Sequence, residues 1–238
     1  MSVELRNPHS ILETLRLRPE AIKQLVLPRG KKGGMAWDSI ESLAKSQGIA
    51  MNAKPNREAC AIIQPKEPLP LEDVLMNAEE KESSKRPRVW LALDCVQDVH
   101  NLGALFRTAS FFNVRGILIT QERTAPLSST VYDIASGGVE TVPFSIVKNL
   151  KNAIEVAKKM DLWVLGTSEH RGESLYQIEQ DRSWLVIVGN EEKGIRPLTE
   201  KSCDFLCQIP KPNAELGIGS LNVSVASGIL LSHFARIH

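Results

Sequence analysis

Three stretches of this chain are apolar at every position: residues 89–93 (Val-Trp-Leu-Ala-Leu), 162–165 (Leu-Trp-Val-Leu) and 184–188 (Trp-Leu-Val-Ile-Val). A strand with one wet face alternates polar and apolar side chains, so an unbroken run belongs to a strand covered on both faces. Shorter strands are expected at 116–120, 143–147 and 205–209, and helical segments at 102–112, 129–136, 150–160 and beyond 222. Strands alternating with helices predict an α/β fold with a mostly parallel sheet and helices on both faces. In such a sheet, ligands bind outside the carboxyl ends of the strands. The loops that follow strands are therefore where function is to be sought.

The 238 residues suffice for one large or two modest domains. Residues 1–65 carry ten Lys/Arg against six Asp/Glu, a balance of +4, and the remaining 19 against 22 give −3, together the overall +1. This basic part reads as a small α/β module with helices at 9–18 and 37–46 and strands at 21–27, 48–50 and 59–63. Its glycine loop at 28–34, Pro-Arg-Gly-Lys-Lys-Gly-Gly, suits a phosphate backbone or is a solvated turn. Residues 66–87 are proline-punctuated and then densely charged, the composition of a linker, although the apolar patch at 69–76 can pack locally. The expected organisation is a substrate module at 1–65, a linker at 66–87 and a larger domain at 88–238.

No apolar run approaches the ~20 residues that span a bilayer, and the N-terminus lacks the apolar core of a signal peptide. A cytoplasmic protein with no membrane association is expected. Cys60, Cys95, Cys203 and Cys207 have no metal-site spacing and read as buried thiols in a reducing compartment. The histidines are scattered, and no metal is expected.

Three loops carry polar groups immediately after strands. Residues 101–107, Asn-Leu-Gly-Ala-Leu-Phe-Arg, place Asn101 and Arg107 nearly two helical turns apart. Residues 189–194, Gly-Asn-Glu-Glu-Lys-Gly, put the Glu191 carboxylate at a strand's end, with glycines that permit close backbone approach to a ligand. Residues 209–227 run from Ile209-Pro210 through Gly217 and Gly219 to Ser220-Leu-Asn-Val-Ser-Val-Ala226 at the head of the last helix. Singly, each has a plain alternative: Arg107 as a helix-surface charge, Glu191 as a solvated acid, Asn222 as a helix cap. Together they converge on one rim. The last loop is not a dinucleotide fingerprint, because Asn222 stands at the third glycine position and too little chain follows for a βαβ unit.

In this order the three stretches resemble the motifs of the SpoU family of RNA ribose 2′-O-methyltransferases: Asn-x-Gly-x-x-x-Arg, Gly-x-Glu-x-x-Gly and Ile-Pro…Ser-Leu-Asn-Val-Ser-Val-Ala. Arg-Thr-Ala-Pro-Leu at 123–127 and Ala-Ser-Gly-Gly-Val-Glu at 135–140 agree with it. The resemblance covers residues 89–238, and residues 1–65 more loosely resemble the small RNA-binding domain of the ribosomal-RNA guanosine branch. It implies S-adenosylmethionine bound in a C-terminal trefoil knot, a homodimer with active sites at the subunit interface, and structured RNA as substrate, above all a guanosine of large-subunit ribosomal RNA. By position, Gly189, Ile209 and Leu221 match cofactor-contacting residues, with Thr167 beside them. Arg107 matches the catalytic arginine, with Asn101, Glu191, Ser220 and Asn222 around it; Glu191 is expected to orient Arg107 or Asn101. The chain departs from the family in a longer stretch between Pro210 and Ser220 and in a shorter small domain near residues 54–62, which leaves the RNA target open. The alternatives are a transfer-RNA 2′-O-methyltransferase, a resistance methylase acting on ribosomal RNA, and a non-catalytic RNA-binding relative.

Overall fold

The computed structural model describes residues 2–28, 34–52, 58–76, 88–211 and 219–235. Most of the basic glycine loop at 28–34, Lys54, the charged run at 79–86 and Gly217 lie outside the described residues.

The N-terminal elements are β1 (Val3–Leu5), α1 (Pro8–Leu17), β2 (Ile22–Val26), α2 (Met35–Ser46), β3 (Met51–Asn52) and β4 (Cys60–Ile63). They form a four-stranded sheet in the order β1-β4-β2-β3. β4 runs antiparallel to β1 and β2, and β3 parallel to β2. β1 has no sequence signature, because three residues carry too little alternation. The strand expected at 48–50 begins instead at Met51, after a turn at Gly48, whose φ of +69° suits glycine. α1 starts at Pro8 because Asn7 caps it, its side chain accepting the His9 amide at 2.8 Å.

The second part comprises α3 (Leu71–Met76), β5 (Val89–Asp94), α4 (Val99–Phe111), β6 (Ile117–Thr120), α5 (Ser129–Ala135), α6 (Gly138–Thr141) and β7 (Phe144–Val147). It continues with α7 (Leu150–Lys159), β8 (Trp163–Thr167), β9 (Glu173–Ser174), β10 (Trp184–Gly189), α8 (Pro197–Glu200), β11 (Phe205–Gln208) and α9 (Val223–Phe234). Its seven strands are all parallel, in the order β7-β6-β5-β10-β8-β11-β9.

The unbroken apolar runs have the cause expected of them. Along β5, Leu91 and Leu93 face a core shared with α4, α5 and α9, while Trp90 and Ala92 face a second core built with α3 and α7. β10 divides the same way, Val186 and Val188 to one side and Leu185 and Ile187 to the other. Trp90 is fully buried, and its indole N–H is satisfied by the Val74 carbonyl at 2.9 Å. That bond explains α3. The apolar patch within the proline-rich stretch is a short helix whose Val74 and Leu75 are wholly buried against the sheet.

The N-terminal sheet is joined to the larger one through a continuous core, and through polar contacts at its seam. Asp133 on α5 accepts the Arg6 and Asn7 amides, both at 2.9 Å. Arg18 grips Glu140 on α6 with both arms of its fork, at 2.7 and 2.8 Å, and Thr14 donates to the same carboxylate at 3.2 Å. The Lys66 ammonium donates to the carbonyls of Val139, Glu140 and Val142 at 2.7–3.0 Å, closing the end of α6. Burial pushes Lys66 down to about 8, so it remains mainly charged at neutral pH and able to fill those three acceptors.

The Glu140 side chain is 1% exposed, so its charge depends on Arg18. Replacing Arg18 with methionine strands a buried carboxylate and is expected to destabilise the fold by about 3 kcal/mol. Replacing both residues with methionine removes the charge together with its partner and is expected to recover most of that loss. Denaturant unfolding of the two single variants and the double variant measures the coupling.

Candidate active site

The topology creates a crevice before any side chain is considered. β5, β6 and β7 are laid in sequence towards one edge. The chain then crosses to place β8 on the other side of β5, and β10 later fills the position between β5 and β8. This reversal of strand order opens a cleft at the carboxyl ends of β10 and β8. Its volume is about 660 Å³, and segments 167–171, 188–195, 207–211 and 219–230 contribute to its walls. Val188, Ile195, Cys207, Val223 and Leu230 give it an apolar floor. Burial pushes the Cys207 thiol up to about 12, so it adds no charge there, and pushes Cys203 equally high.

Thr167, Gly189, Glu191, Ile209, Ser220 and Leu221 all line this cleft. Thr167 spends its hydroxyl within the sheet, donating to the Ile187 carbonyl at 3.0 Å. Gly189 borders the cleft, and its lack of a side chain has a cause within the chain itself. A Cβ built there would lie 2.1–2.3 Å from backbone atoms of Gly194 and Ile195. The glycine admits the chain's own returning loop, closed by paired backbone bonds between Asn190 and Gly194 at 2.9 and 3.0 Å, and its missing side chain does not face the ligand space.

Glu191 is the hub of the rim. One carboxylate oxygen accepts from Asn101 Nδ2 at 2.9 Å and the Asp98 amide at 3.3 Å. The other accepts from Asn190 Nδ2 at 3.1 Å and the Gln97 amide at 3.4 Å. Asn101 Oδ1 in turn accepts from Asn222 Nδ2 at 2.9 Å. Asn222 caps α9, its Oδ1 taking the Ser224 amide at 2.9 Å. One hydrogen-bonded chain thus ties the loop after β10, the head of α4 and the head of α9, which are the three motif-bearing segments. Of the two partners expected for Glu191, it orients Asn101 and not Arg107.

Arg107 stands apart. It is exposed on α4, does not line the cleft, and among the described residues makes no hydrogen bond or ion pair. Six residues along an α-helix turn the side chain roughly 240° and advance it about 9 Å, which separates it from the buried Asn101.

Sequence reasoning passed over three residues here. Asn190 bridges Glu191 and the Cys95 carbonyl, at 3.1 Å each. Asp94, wholly buried at the end of β5, accepts from the Arg196 side chain at 2.7 Å and the Arg196 amide at 2.9 Å, fixing the far end of the β10 loop. The available signal was Asp94 itself, since a carboxylate ending an unbroken apolar run requires a buried partner.

The hub supports a test. Exchanging Glu191 for glutamine preserves shape but turns an amide group towards two donors, whichever way it is placed. The Gln97 and Asp98 amides belong to the backbone and cannot flip to compensate. Glu191→Gln is expected to lose about 1–3 kcal/mol of stability and to lower kcat by about ten-fold or more through misplacement of Asn101 and Asn222. Thermal unfolding read beside steady-state rates checks both.

Residues 88–232 match the model of the SpoU rRNA Methylase family. The chain belongs to the SpoU rRNA methylase family. Among its SpoU relatives is the 23S rRNA (guanosine-2′-O-)-methyltransferase RlmB of Nitrosomonas europaea, 33% identical over 97% of this chain and 90% of that one. The protein of the same name from Pseudomonas aeruginosa is 32% identical over 96% and 94%. The SpoU methyltransferase AviRb of Streptomyces viridochromogenes, solved in complex with AdoMet, superposes with a TM-score of 0.76 at 16% identity, over 99% of this chain and 90% of that one. An AdoMet-bound rRNA methyltransferase from Sinorhizobium meliloti superposes with a TM-score of 0.74 at 20% identity, over 98% and 86%. The two solved structures share the fold of this chain, an α/β arrangement with a mostly parallel sheet.

Proposed function

We propose that this chain methylates the 2′-hydroxyl of a guanosine ribose in 23S ribosomal RNA, with S-adenosylmethionine as donor. The observation that carries the reading is the bonded chain Glu191–Asn101–Asn222 on the rim of a cleft formed where the strand order reverses. The cleft fits the donor by its chemistry. An apolar floor suits an adenine ring, and a polar rim of loop backbone suits a ribose and an amino acid terminus. Thr167, Gly189, Ile209 and Leu221 are the residues that would hold it. Among the described residues, no group of His, Cys, Asp and Glu could hold a metal ion.

S-adenosylmethionine supplies an electrophilic methyl group on a cationic sulfonium. The protein must then hold the ribose oxygen in line and ease the departure of its proton. Asn101, Ser220 and Asn222 stand at the rim to position the nucleotide. Arg107 holds a phosphate and the ribose oxygen in its fork. An arginine acting as base would cost roughly 8 kcal/mol to deprotonate at pH 7; a positioning fork avoids that cost, the hydroxyl proton passing to the neighbouring phosphate while the methyl group bonds to the ribose oxygen and the neutral thioether leaves.

Because Arg107 lies away from its own cleft, the reading includes a homodimer in which one subunit's α4 meets the other's cleft. Support comes from the surface around it. Phe111 on α4 is 82% exposed, and Leu221 and Val225, near the start of the α9 helix that packs on α4, are exposed as well. A C-terminal trefoil knot is likewise part of the reading, resting on the order of the motifs in the stretch that matches the SpoU family. The N-terminal residues 1–65, with their balance of +4, serve as the RNA-binding part.

Isothermal titration separates this reading from a nicotinamide enzyme. S-adenosylmethionine is expected to bind in the micromolar range and NAD not to bind. Binding of NAD alone would refute the assignment of the cleft.

A further inference from the structure

Arginine side chains in this structure are almost all committed. Among the described residues, only Arg107 and Arg123 have no hydrogen bond, ion pair or ring contact. Arg107 already has a role. Arg123 has none, although its backbone is held at some cost.

Its φ is +56°, the left-handed region. Asn113 and Asp161 also sit there, where a short polar side chain can bond locally; arginine has no such compensation for the crowding of its Cβ against the carbonyl. The loop is clamped on both sides of the strained residue. Ahead of it, Thr120 Oγ1 accepts the Cys95 amide at 2.9 Å and pairs with Thr124 Oγ1 at 2.9 Å. Behind it, the Ala125 amide donates to the Val96 carbonyl at 2.9 Å. Cys95, the partner in the first clamp, is itself left-handed, with φ +65°.

These clamps join the β6 loop to the β5 loop. The next two amides of that β5 loop, Gln97 and Asp98, are those bound by Glu191. Arg123 and Glu191 are therefore fastened to opposite sides of one short segment, on the single rim formed by the carboxyl ends of parallel strands. The Arg123 side chain is exposed, and its neighbour Glu122 makes no ion pair with it. An exposed, uncommitted and permanently charged fork on the same rim as Glu191, held by a backbone in the left-handed region, matches the demand of a phosphodiester.

We propose that Arg123 binds a backbone phosphate of the RNA strand adjoining the methylated nucleotide and so sets the register of that strand across the rim. The proposal rests on the reading that the chain methylates RNA. Phosphate contacts of this kind fix register and carry no base information.

The test uses the full chain, S-adenosylmethionine and a 23S rRNA fragment, with the variants Arg123→Asn and Arg123→Gly. Both replacements accept the left-handed backbone, so the melting temperature is expected to be unchanged or raised. The KM for RNA is expected to rise about ten-fold with kcat within about three-fold of wild type, and the salt dependence of RNA binding to become shallower by about one phosphate contact. Wild-type KM and salt slope in both variants would overturn the proposal. So would a raised KM accompanied by a lowered melting temperature and weakened S-adenosylmethionine binding, since that pattern marks a structural role. A wild-type protein that binds S-adenosylmethionine but neither binds nor methylates RNA would instead overturn the parent reading, and the Arg123 proposal with it.

Discussion

Arg107→Lys is expected to slow single-turnover RNA methylation by about 10²-fold or more, equivalent to roughly 2.7 kcal/mol or more of barrier, while S-adenosylmethionine binds as in wild type. The binding half of this expectation follows from position, because Arg107 does not line the cleft. The rate half follows from shape. Lysine keeps the positive charge and has the lower pKa, so it would be the better base of the two. What it lacks is the planar fork that holds a phosphate oxygen and the ribose oxygen together. Single turnover with both substrates saturating excludes product release from the measured rate. A lysine variant within a few-fold of wild type would show that charge alone suffices and would remove the fork from the account.

Gly189→Ala is expected to be strongly destabilising, since among the described glycines its added Cβ comes closest to backbone. The added Cβ meets backbone atoms of Gly194 and Ile195 at 2.1–2.3 Å, and backbone cannot step aside as the tip of a side chain can. The β10 loop must move, and it carries Glu191, which holds Asn101 and, through it, Asn222. A loss of about 2–4 kcal/mol in stability is expected, together with loss of S-adenosylmethionine binding. Gly219→Ala is the control. Gly219 also lines the cleft, but a Cβ there meets nothing within 4 Å, so its melting temperature is expected to match wild type. If Gly189→Ala melts as wild type does, the tight closure of Asn190 on Gly194 is not what demands a glycine.

The parts of this fold that were legible in the sequence are those where one physical demand is repeated along the chain. β5, β8 and β10 declared themselves because their central residues are buried on both faces and apolar; Trp163, at the start of β8, is the exposed exception. β9 has two residues and β1 three, and neither is long enough to show a period. α3 was veiled by the prolines before it, and its reason for existing, the Trp90 indole, lies elsewhere in the chain. The Arg18–Glu140 pair spans 122 residues, so nothing local to either residue announces it. At the site, the motif residues could be named in advance, but their wiring could not. Which donor Glu191 would satisfy depended on α4 turning Asn101 inward and Arg107 outward. Gly189 and Arg123 show the same limit from the other side. A glycine beside a ligand cleft can be there for the backbone, and an arginine in a loop can be strained into place, and only φ and neighbouring atoms reveal either.

The central claim is most directly tested by the position of the methyl group itself. Purified protein, S-adenosylmethionine and unmodified 23S rRNA are incubated, the RNA is digested, and the fragments are mapped by mass spectrometry for ribose methylation, with transfer RNA treated in parallel. The account predicts a single guanosine of 23S rRNA that gains a 2′-O-methyl group, and no gain in the transfer RNA. Methyl groups on a base, on transfer RNA alone, or on no RNA at all would contradict it.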